Sequence, residues 1–168
     1  VEVIHNIAKS FGGVEHRIEL VRELEGVKWY NDSIATSPTR TIAGLSCFDQ
    51  KVILIGGGYD KHIPYEPLAP HLINKVKLLI LSGPTAPKIA AALQNDPNYN
   101  GEPEVIFVNS MEEAVATAYG YAEAGDIVTL SPASASFDLY PNFEVRGRLY
   151  KELVNKLGTL DGVPASEL

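Results

Sequence analysis

The stretch that decides the fold is Lys51-Val52-Ile53-Leu54-Ile55-Gly56-Gly57-Gly58, an apolar run that ends in three glycines. A run of Val, Ile and Leu without polar alternation predicts a strand that is buried on both faces, as in parallel sheets. Similar runs follow at residues 76–81, 105–108 and 127–130, and helical patterns lie between them. This alternation predicts an α/β domain with helices on both faces of a mostly parallel sheet and right-handed crossovers.

The N-terminal part of the sheet is predicted to be an antiparallel hairpin. Residues 17–24 and 27–30 read as strands, and the turn signal Glu25-Gly26 separates them. Helices are predicted at 1–10, 38–48, 67–73, 111–124 and 142–157, with another that ends at Leu93. The sequence thus predicts one Rossmann-like domain of about six strands over residues 1–158, followed by a frayed tail at 159–168.

Two helix starts and one helix face are marked especially well. Ser37-Pro38 places a capping residue before a proline at the first helical position, and Ser110 with Glu113 has the spacing of a capping box. In the last helix an apolar stripe is predicted from the spacing of Val145, Leu149, Leu153 and Leu157.

Composition narrows the class of protein. The chain has 168 residues, of which 45% are hydrophobic and 21% charged, typical of a single globular domain. A formal charge of −7 without a basic run argues against nucleic acid and anionic membrane as partners. The single cysteine, Cys47, excludes an internal disulfide and predicts a reducing, cytoplasmic setting. Because the chain begins at Val1 and not Met, we expect it to be part of a longer protein.

Two polar stretches follow buried strands, and a packed core does not require them. They are Asn31-Asp32-Ser33-Ile34-Ala35-Thr36-Ser37 and Ser131-Pro132-Ala133-Ser134-Ala135-Ser136-Phe137-Asp138. The carboxyl ends of strands in an open α/β sheet are where ligands bind, and hydroxyls near helix starts suit a phosphate or a small anion. An anionic ligand needs local cations, for which the candidates are Arg17, Arg40, Lys61 and Arg146.

Several familiar catalytic motifs are absent from the sequence. Nothing fits the P-loop pattern, and Lys61 occupies the third glycine position of a G-x-G-x-x-G fingerprint that Gly56 and Gly58 begin. Zinc-binding histidine spacings and the G-x-S-x-G nucleophile elbow are absent as well. From the residues alone, Asp32 is either a ligand-binding carboxylate or part of an Asx turn.

Taken together, four segments resemble the C-terminal domain of the Mur ligases of peptidoglycan synthesis. In chain order they begin Gly13-Val14-Glu15-His16-Arg17, Asn31-Asp32-Ser33, Gly56-Gly57-Gly58-Tyr59-Asp60-Lys61 and Leu130-Ser131-Pro132, the last continuing through Asn142-Phe143-Glu144-Val145-Arg146-Gly147. They span nearly the whole chain, and the likeness is greatest to the branch of the family that adds D-glutamate.

This resemblance implies an activity for the full-length protein. Mur ligases use ATP to convert the terminal carboxylate of a UDP-linked substrate, here UDP-N-acetylmuramoyl-L-alanine, to an acyl phosphate that the amine of the incoming amino acid attacks. Family members have three domains, and the N-terminal UDP-binding domain and the central ATPase domain would lie outside this chain. ATP and Mg²⁺ would be bound mainly by the central domain, so we expect the chain alone to have no ligase activity. The resemblance assigns no catalytic residue and no metal ligand to this domain.

The resemblance also assigns roles by position. His16, Arg17 and Asp32 match nucleotide-binding positions, and the D-glutamate site would comprise Thr36, Lys61, Ser136, Phe137 and Phe143. One departure concerns Ile34, because many D-glutamate ligases have Lys there. Isoleucine cannot bind a carboxylate, so either another cation such as Arg40 or a residue of an adjacent domain takes that part, or the amino acid differs.

Three alternatives remain open. The chain could belong to another Mur ligase or to a folylpolyglutamate synthase-like ligase. It could instead be a non-catalytic nucleotide-binding α/β module. A dehydrogenase-type Rossmann domain is the third alternative, which the interrupted glycine pattern disfavours.

Overall fold

A computed structural model describes residues 14–137 and 139–158 of the chain. The strands are β1 (Glu19–Leu24), β2 (Val27–Asn31), β3 (Val52–Gly56), β4 (Val76–Leu81), β5 (Glu104–Phe107) and β6 (Ile127–Leu130). The helices are α1 (Pro38–Leu45), α2 (Ala69–Lys75), α3 (Ala86–Gln94), α4 (Met111–Tyr121) and α5 (Phe143–Lys156), with a 3₁₀ helix at Glu66–Leu68 before α2. The predicted helix at 1–10, Asp138 and the predicted tail at 159–168 lie outside the described residues.

The six strands form one sheet in the order β1-β2-β6-β3-β4-β5. Only the β1–β2 pair is antiparallel among these strands, and the pairs β2–β6, β6–β3, β3–β4 and β4–β5 are parallel. The predicted fold class is therefore confirmed, including the N-terminal hairpin. Because β4 and β5 lie on one side of β3 while β6 lies on the other, the chain reverses direction across the sheet between β3 and β6, which is where α/β sheets bind ligands.

Apolar cores lie on both faces of the sheet. One contains Leu45 of α1, Leu72 of α2 and Ile89 of α3, and the other contains Ala114 of α4 and Tyr150 of α5. All five residues of β3 are buried, as its unbroken apolar sequence predicts. Among the described residues, no helix combines the length and the apolar character needed to cross a membrane.

Some element boundaries differ from the sequence prediction. β1 begins at Glu19 instead of Arg17, because His16 and Ile18 have φ angles of 65° and 47°, which no strand accommodates. Helix α1 ends at Leu45 and α4 at Tyr121, each three residues before its predicted end. β5 is shifted by one residue towards the N-terminus.

The buried face of α5 was predicted wrongly in part. Its buried residues are Arg146, Gly147, Tyr150 and Val154. Of the predicted stripe, Leu157 is buried just after the helix, whereas Val145, Leu149 and Leu153 are half-buried, the two leucines at the margin of the core. The reason is that Gly147 has no side chain, so the backbone of α5 approaches β2 closely at this point. This approach turns the neighbouring side chains of Arg146 and Tyr150 inward. The side chain of Asn142 caps this helix by accepting the Val145 N–H, and so fixes where it begins.

Candidate functional site

Three neighbouring strands end at one edge of the sheet, and the segments that follow them contact one another. Because β6 lies between β2 and β3, the segment after β6 contacts both others. The Ala133 N–H donates to Ala35 O at 2.9 Å, and the Tyr59 N–H donates to Ala135 O at 2.9 Å. Residues 32–37, 57–61 and 131–137 therefore pack against one another at the carboxyl edge of the sheet, the usual place for a ligand.

Arg146 of α5 holds two of these segments together. Its Nε and Nη2 donate to the hydroxyl and the carbonyl oxygen of Ser33 at 3.1 and 2.8 Å, and Nη1 donates to Ser134 O at 3.0 Å. The side chain is 3% exposed, and this burial lowers the pKa of Arg146 to about 10. Within residues 14–137 and 139–158 no carboxylate pairs with it, and the acceptors that these residues offer its guanidinium are neutral oxygens.

A chain of hydroxyls joins the third segment to the same framework. Ser134 Oγ lies 3.0 Å from Tyr65 Oη and 2.8 Å from Thr85 Oγ1, and Thr85 Oγ1 accepts the Gly58 N–H at 2.9 Å. A Cβ at Gly58 would lie 2.6 Å from Ala135 O, so only glycine permits this approach of the two segments. The glycine-rich turn is thereby held in place by packing as well as by hydrogen bonds.

A first pocket at this edge has a volume of about 120 Å³, and we call it the arginine pocket. Its walls combine two exposed guanidinium groups, one buried carboxyl group and small apolar side chains. The lining residues are Arg17, Ile18, Asp32, Ile34, Arg40, Ala43, Gly44 and Cys47. Two cations beside a hydrogen-bond acceptor suit a ligand that carries both an anionic group and a hydroxyl donor.

Asp32 is the polar centre of the arginine pocket and is only 4% exposed. Its Oδ2 accepts the Ser131 hydroxyl at 3.0 Å, and its Oδ1 accepts the Ile18 N–H at 3.3 Å. Burial raises the pKa of Asp32 to about 7, although both hydrogen bonds and the charges of Arg17 and Arg40 act to lower it. A further hydrogen-bond donor from a ligand would therefore stabilise the ionised form of the Asp32 carboxyl group.

The second pocket has a volume of about 310 Å³ and lies where the ends of β3, β4 and β6 meet the start of α4; we call it the Ser136 pocket. Ser136 is 6% exposed, whereas Phe137 is 53% exposed and contacts the Tyr59 ring edge-on at 5.6 Å. The remaining lining comes from backbone and side chains of Ile55, Gly56, Gly57, Gly58, Ser82, Gly83, Pro84, Asn109, Ser110, Met111, Leu130, Ala135, Leu139, Tyr140 and Arg146.

The structure brings some of the predicted site residues together and keeps others apart. Arg17 and Asp32 line the arginine pocket, and Ser136 and Phe137 line the Ser136 pocket. Three further predicted residues, Lys61, Thr36 and Phe143, line neither of these two pockets. Lys61 is exposed beside Asp60, and Thr36 and Phe143 are half-buried. Thus the predicted residues lie on adjoining segments of one edge without sharing a single cavity.

His16, the remaining predicted residue, is buried behind Arg17 and does not line the arginine pocket. Its ring lies 5.9 Å from the Phe143 ring in an edge-on contact, and its Nδ1 lies 3.0 Å from Asn31 Nδ2. Its Nε2 is 2.9 Å from a carboxylate oxygen of Glu15. The imidazole therefore contacts protein groups on several sides.

The sequence did not reveal the clamping position of Arg146 or the two glycines that lie close to Asp32 and His16. Gly44 of α1 is close to Asp32, since a Cβ there would lie 2.5 Å from Asp32 Oδ2. Gly147 of α5 is equally close to His16. One available signal was the spacing of Arg146, Tyr150 and Val154, which share a helix face and so predict an arginine turned towards the core.

Comparison with known proteins decides the family. A family model described as "Mur ligase, glutamate ligase domain" matches residues 16–134. The chain belongs to this Mur ligase family. This Mur ligase domain is 58% identical over 159 residues to UDP-N-acetylmuramoylalanine--D-glutamate ligase of Acetivibrio thermocellus, covering 93% of the chain and 34% of the relative. It is 56% identical over 158 residues to the enzyme of the same name from Clostridium botulinum, covering 94% and 34%.

Solved structures of ligases share the fold of this Mur ligase domain. A murein peptide ligase from Psychrobacter arcticus has a TM-score of 0.58 at 18% identity, covering 85% of this chain and 31% of that one. A bifunctional folylpolyglutamate synthase/dihydrofolate synthase from Yersinia pestis, complexed with AMPPNP and a Mn ion, has a TM-score of 0.54 at 17% identity, covering 84% and 32%. The Mur ligase domain spans about a third of the length of the relatives it matches.

Proposed function

We propose that the chain is the C-terminal, amino-acid-binding domain of a ligase that joins D-glutamate to UDP-N-acetylmuramoyl-L-alanine in peptidoglycan synthesis, in the cytoplasm and at the expense of ATP. The observation that carries this proposal is the 58% identity over 93% of the chain to a ligase named for D-glutamate. Since the chain spans 34% of that relative, the reaction belongs to the full-length protein.

The arginine pocket is the proposed contact with the nucleotide. The guanidinium groups of Arg17 and Arg40 can pair with phosphate oxygens, and Asp32 can accept a hydrogen bond from a ribose hydroxyl. At about 120 Å³ the pocket is smaller than the roughly 300–1,000 Å³ of pockets that enclose a whole ligand. It would therefore contact one part of the nucleotide, and the other domains would contact the rest.

We assign Mg²⁺ mainly to the central domain of the full-length protein. In the part of the chain that the structure describes, His, Cys, Asp and Glu side chains nowhere form a group of three that could hold a metal ion. Among the described residues that line the arginine pocket, Asp32 alone has a carboxyl group, and this group already accepts hydrogen bonds from Ser131 and Ile18. The contribution of this domain would be to bind the nucleotide through its arginines.

The proposed D-glutamate site lies on the same edge and comprises Thr36, Lys61, Ser136, Phe137 and Phe143. The Ser136 hydroxyl can orient a carboxylate, and the exposed Phe137 ring can exclude water around the attacking amine. Lys61 is exposed, so its long, flexible side chain can reach towards a carboxylate. Arg40 lines the arginine pocket together with Ile34, which supports it as the candidate for the cation that many D-glutamate ligases have as Lys at position 34.

In this proposal the domain binds and orients the amino acid, and it brings the amine against the acyl phosphate formed on the UDP-linked substrate. The high effective concentration of the amine and the exclusion of water then provide much of the rate acceleration, provided that this edge of the sheet closes against the other domains. The chain by itself would fold but would not turn over substrate.

The test is substrate-dependent phosphate release by the purified full-length protein. With ATP, Mg²⁺ and UDP-N-acetylmuramoyl-L-alanine, we expect release with D-glutamate and not with L-glutamate, L-lysine or meso-diaminopimelate. Release with another amino acid would identify a different Mur ligase, and release with dihydrofolate and L-glutamate would identify a folylpolyglutamate synthase. No release with any of these substrates, from a protein that binds ATP, would favour a non-catalytic module.

A further inference from the structure

Arg17 sits in a turn whose backbone is unusual on both sides. The preceding His16 has a φ of 65°, and the following Ile18 has a φ of 47°. Both values lie in the left-handed region that non-glycine residues rarely adopt, and a β-branched residue such as isoleucine is especially disfavoured there. Such a conformation persists only when neighbouring groups hold it in place.

Several hydrogen bonds fix the backbone of this turn at His16 and Ile18. The His16 N–H donates to Glu19 Oε1 at 3.0 Å, and His16 O accepts the Ile34 N–H at 3.1 Å. The Ile18 N–H donates to Asp32 Oδ1 at 3.3 Å. Arg17, between them, has an exposed side chain that lines the arginine pocket. The contacts of its two neighbours therefore fix the backbone position from which the Arg17 side chain extends into the arginine pocket.

The His16 ring is held in one tautomer by Asn31. Asn31 Oδ1 accepts the Ser33 N–H at 3.1 Å, so Asn31 Nδ2 faces the other way and donates to Glu19 Oε1 at 3.1 Å. The same Nδ2 lies 3.0 Å from His16 Nδ1. An amide nitrogen can only donate, so Nδ1 of His16 must accept, and the ring proton lies on Nε2, which faces Glu15.

Gly147 of α5 provides the space for this contact. A Cβ at position 147 would lie 2.2 Å from His16 Nδ1 and 3.0 Å from Asn31 Nδ2. Its helical backbone needs no glycine, since Gly147 lies within α5 and has no positive φ. The reason for a glycine here is therefore the close approach of His16 and Asn31.

We propose that Gly147, Asn31 and His16 form a positioning element that holds Arg17 at the mouth of the arginine pocket, and that His16 acts through Arg17 without contacting the nucleotide. This inference rests on the proposed role of the arginine pocket in nucleotide binding. The positioning element connects α5, which carries Phe143 and Arg146, to the proposed nucleotide contact on the other side of β2.

The first test is spectroscopic and needs no ligand. In the ¹⁵N spectrum of the full-length protein, His16 should show a bare, accepting Nδ1 and a proton on Nε2. Asn31→Asp replaces the donor by an acceptor of the same shape and should move the ring proton to Nδ1. A proton on Nδ1 of the unaltered protein would overturn the proposed arrangement.

The second test is a double-mutant cycle on the KM values of the full-length ligase. Gly147→Ala should raise the KM for ATP on the order of tenfold, as expected for a displaced contact, with a smaller effect on the KM for UDP-N-acetylmuramoyl-L-alanine. In a His16→Ala background the two closest contacts of the new methyl group are gone and only the 3.0 Å approach to Asn31 Nδ2 remains, so Gly147→Ala should add much less than it does in the unaltered protein. The matched control is Gly120→Ala in α4, where a Cβ would meet nothing within 4 Å and all KM values should stay unchanged.

The variant Arg17→Ala distinguishes a failure of the proposed nucleotide contact from a failure of the proposed positioning element. If it leaves the KM for ATP unchanged, the proposed nucleotide contact fails. If Arg17→Ala raises this KM but neither Gly147→Ala nor His16→Ala does, the nucleotide contact stands and the positioning element is overturned. If Gly147→Ala does not yield folded protein, His16→Ala and Asn31→Asp carry the same comparison.

Discussion

The Arg146 guanidinium donates to both the hydroxyl and the carbonyl oxygen of Ser33, a residue 113 positions earlier in the chain. Ser33 in turn donates its hydroxyl to Phe143 O at 2.7 Å, at the start of the same helix. The segment after β2 and the first turn of α5 are therefore bonded in both directions. Since these two elements carry Asp32 and Phe143, any shift of α5 would be felt at both proposed subsites.

Replacing Arg146 by lysine should strongly destabilise the domain. Lysine keeps the charge but cannot reach the three oxygens that the guanidinium contacts, so buried acceptors lose their donors. We expect Arg146→Lys to lower the free energy of unfolding in urea by about 2–4 kcal/mol. Arg148→Lys, two positions away on the exposed side of α5, is the control and should change it by less than about 0.5 kcal/mol.

Asp32 should make stability depend on pH. Its folded pKa of about 7 lies above its ordinary value of 3.8, so the folded state holds this proton more tightly than the unfolded state does. The resulting stabilisation is full below pH 3.8 and is lost as the pH rises through 7. Between pH 5 and 8 the unaltered protein should lose roughly 2–4 kcal/mol relative to Asp32→Asn, measured by urea unfolding. Parallel pH profiles of the two proteins would contradict this.

Gly44→Ala should damage the arginine pocket in spite of its better helix propensity. The new methyl group would lie 2.5 Å from Asp32 Oδ2, so either α1 or the carboxyl group must move. We expect a net loss of about 1–2 kcal/mol in the free energy of unfolding, because overpacking outweighs the roughly 1 kcal/mol that alanine gains in a helix. The KM for ATP of the full-length protein should rise too. A variant as stable as Gly120→Ala, with normal KM values, would show that Asp32 tolerates the methyl group.

The chain's single cysteine offers a reporter for nucleotide binding, because Cys47 lines the arginine pocket. Burial raises the pKa of the Cys47 thiol, so alkylation should be slow at neutral pH. Saturating ATP should slow it several-fold further, as followed by mass spectrometry of the peptide that contains Cys47. In Arg17→Ala at the same ATP concentration, the protection should be weaker. Equal alkylation rates with and without ATP would place the nucleotide elsewhere.

The sequence predicted the elements of the fold well because its strands are short apolar runs between clear helix signals. β3 was predicted within one residue of its observed bounds, and β4 and β6 with their observed bounds. Predicting which strand lies beside which was beyond a pattern of hydrophobicity, since the place of β6 between β2 and β3 depends on how the helices pack. The same limit applies to α5. There the close approach at Gly147 buries the face with Arg146 and Tyr150 more deeply than the predicted leucine stripe.

At the site, the sequence indicated the right edge of the sheet but not its internal contacts. The polar segments around Asp32 and Ser136 were visible because they follow buried strands. The burial of Arg146 and His16 was not, because each depends on partners more than ten positions away: Ser33 and Ser134 for Arg146, Asn31 for His16. For Arg146 the spacing with Tyr150 and Val154 on one helix face was an available signal, whereas a histidine in a polar stretch gives no sign of whether it faces a ligand or the protein.

The most direct test of a D-glutamate site at this edge compares two lysines at opposite ends of β3. Lys61 follows the glycine-rich turn at the carboxyl end, and the equally exposed Lys51 precedes β3 at the amino end. In the full-length ligase, Lys61→Ala should raise the KM for D-glutamate at least tenfold, the loss of one charge-assisted contact, while the KM for UDP-N-acetylmuramoyl-L-alanine stays unchanged. Lys51→Ala should alter neither value. Equal KM values for D-glutamate in the two variants would contradict the account.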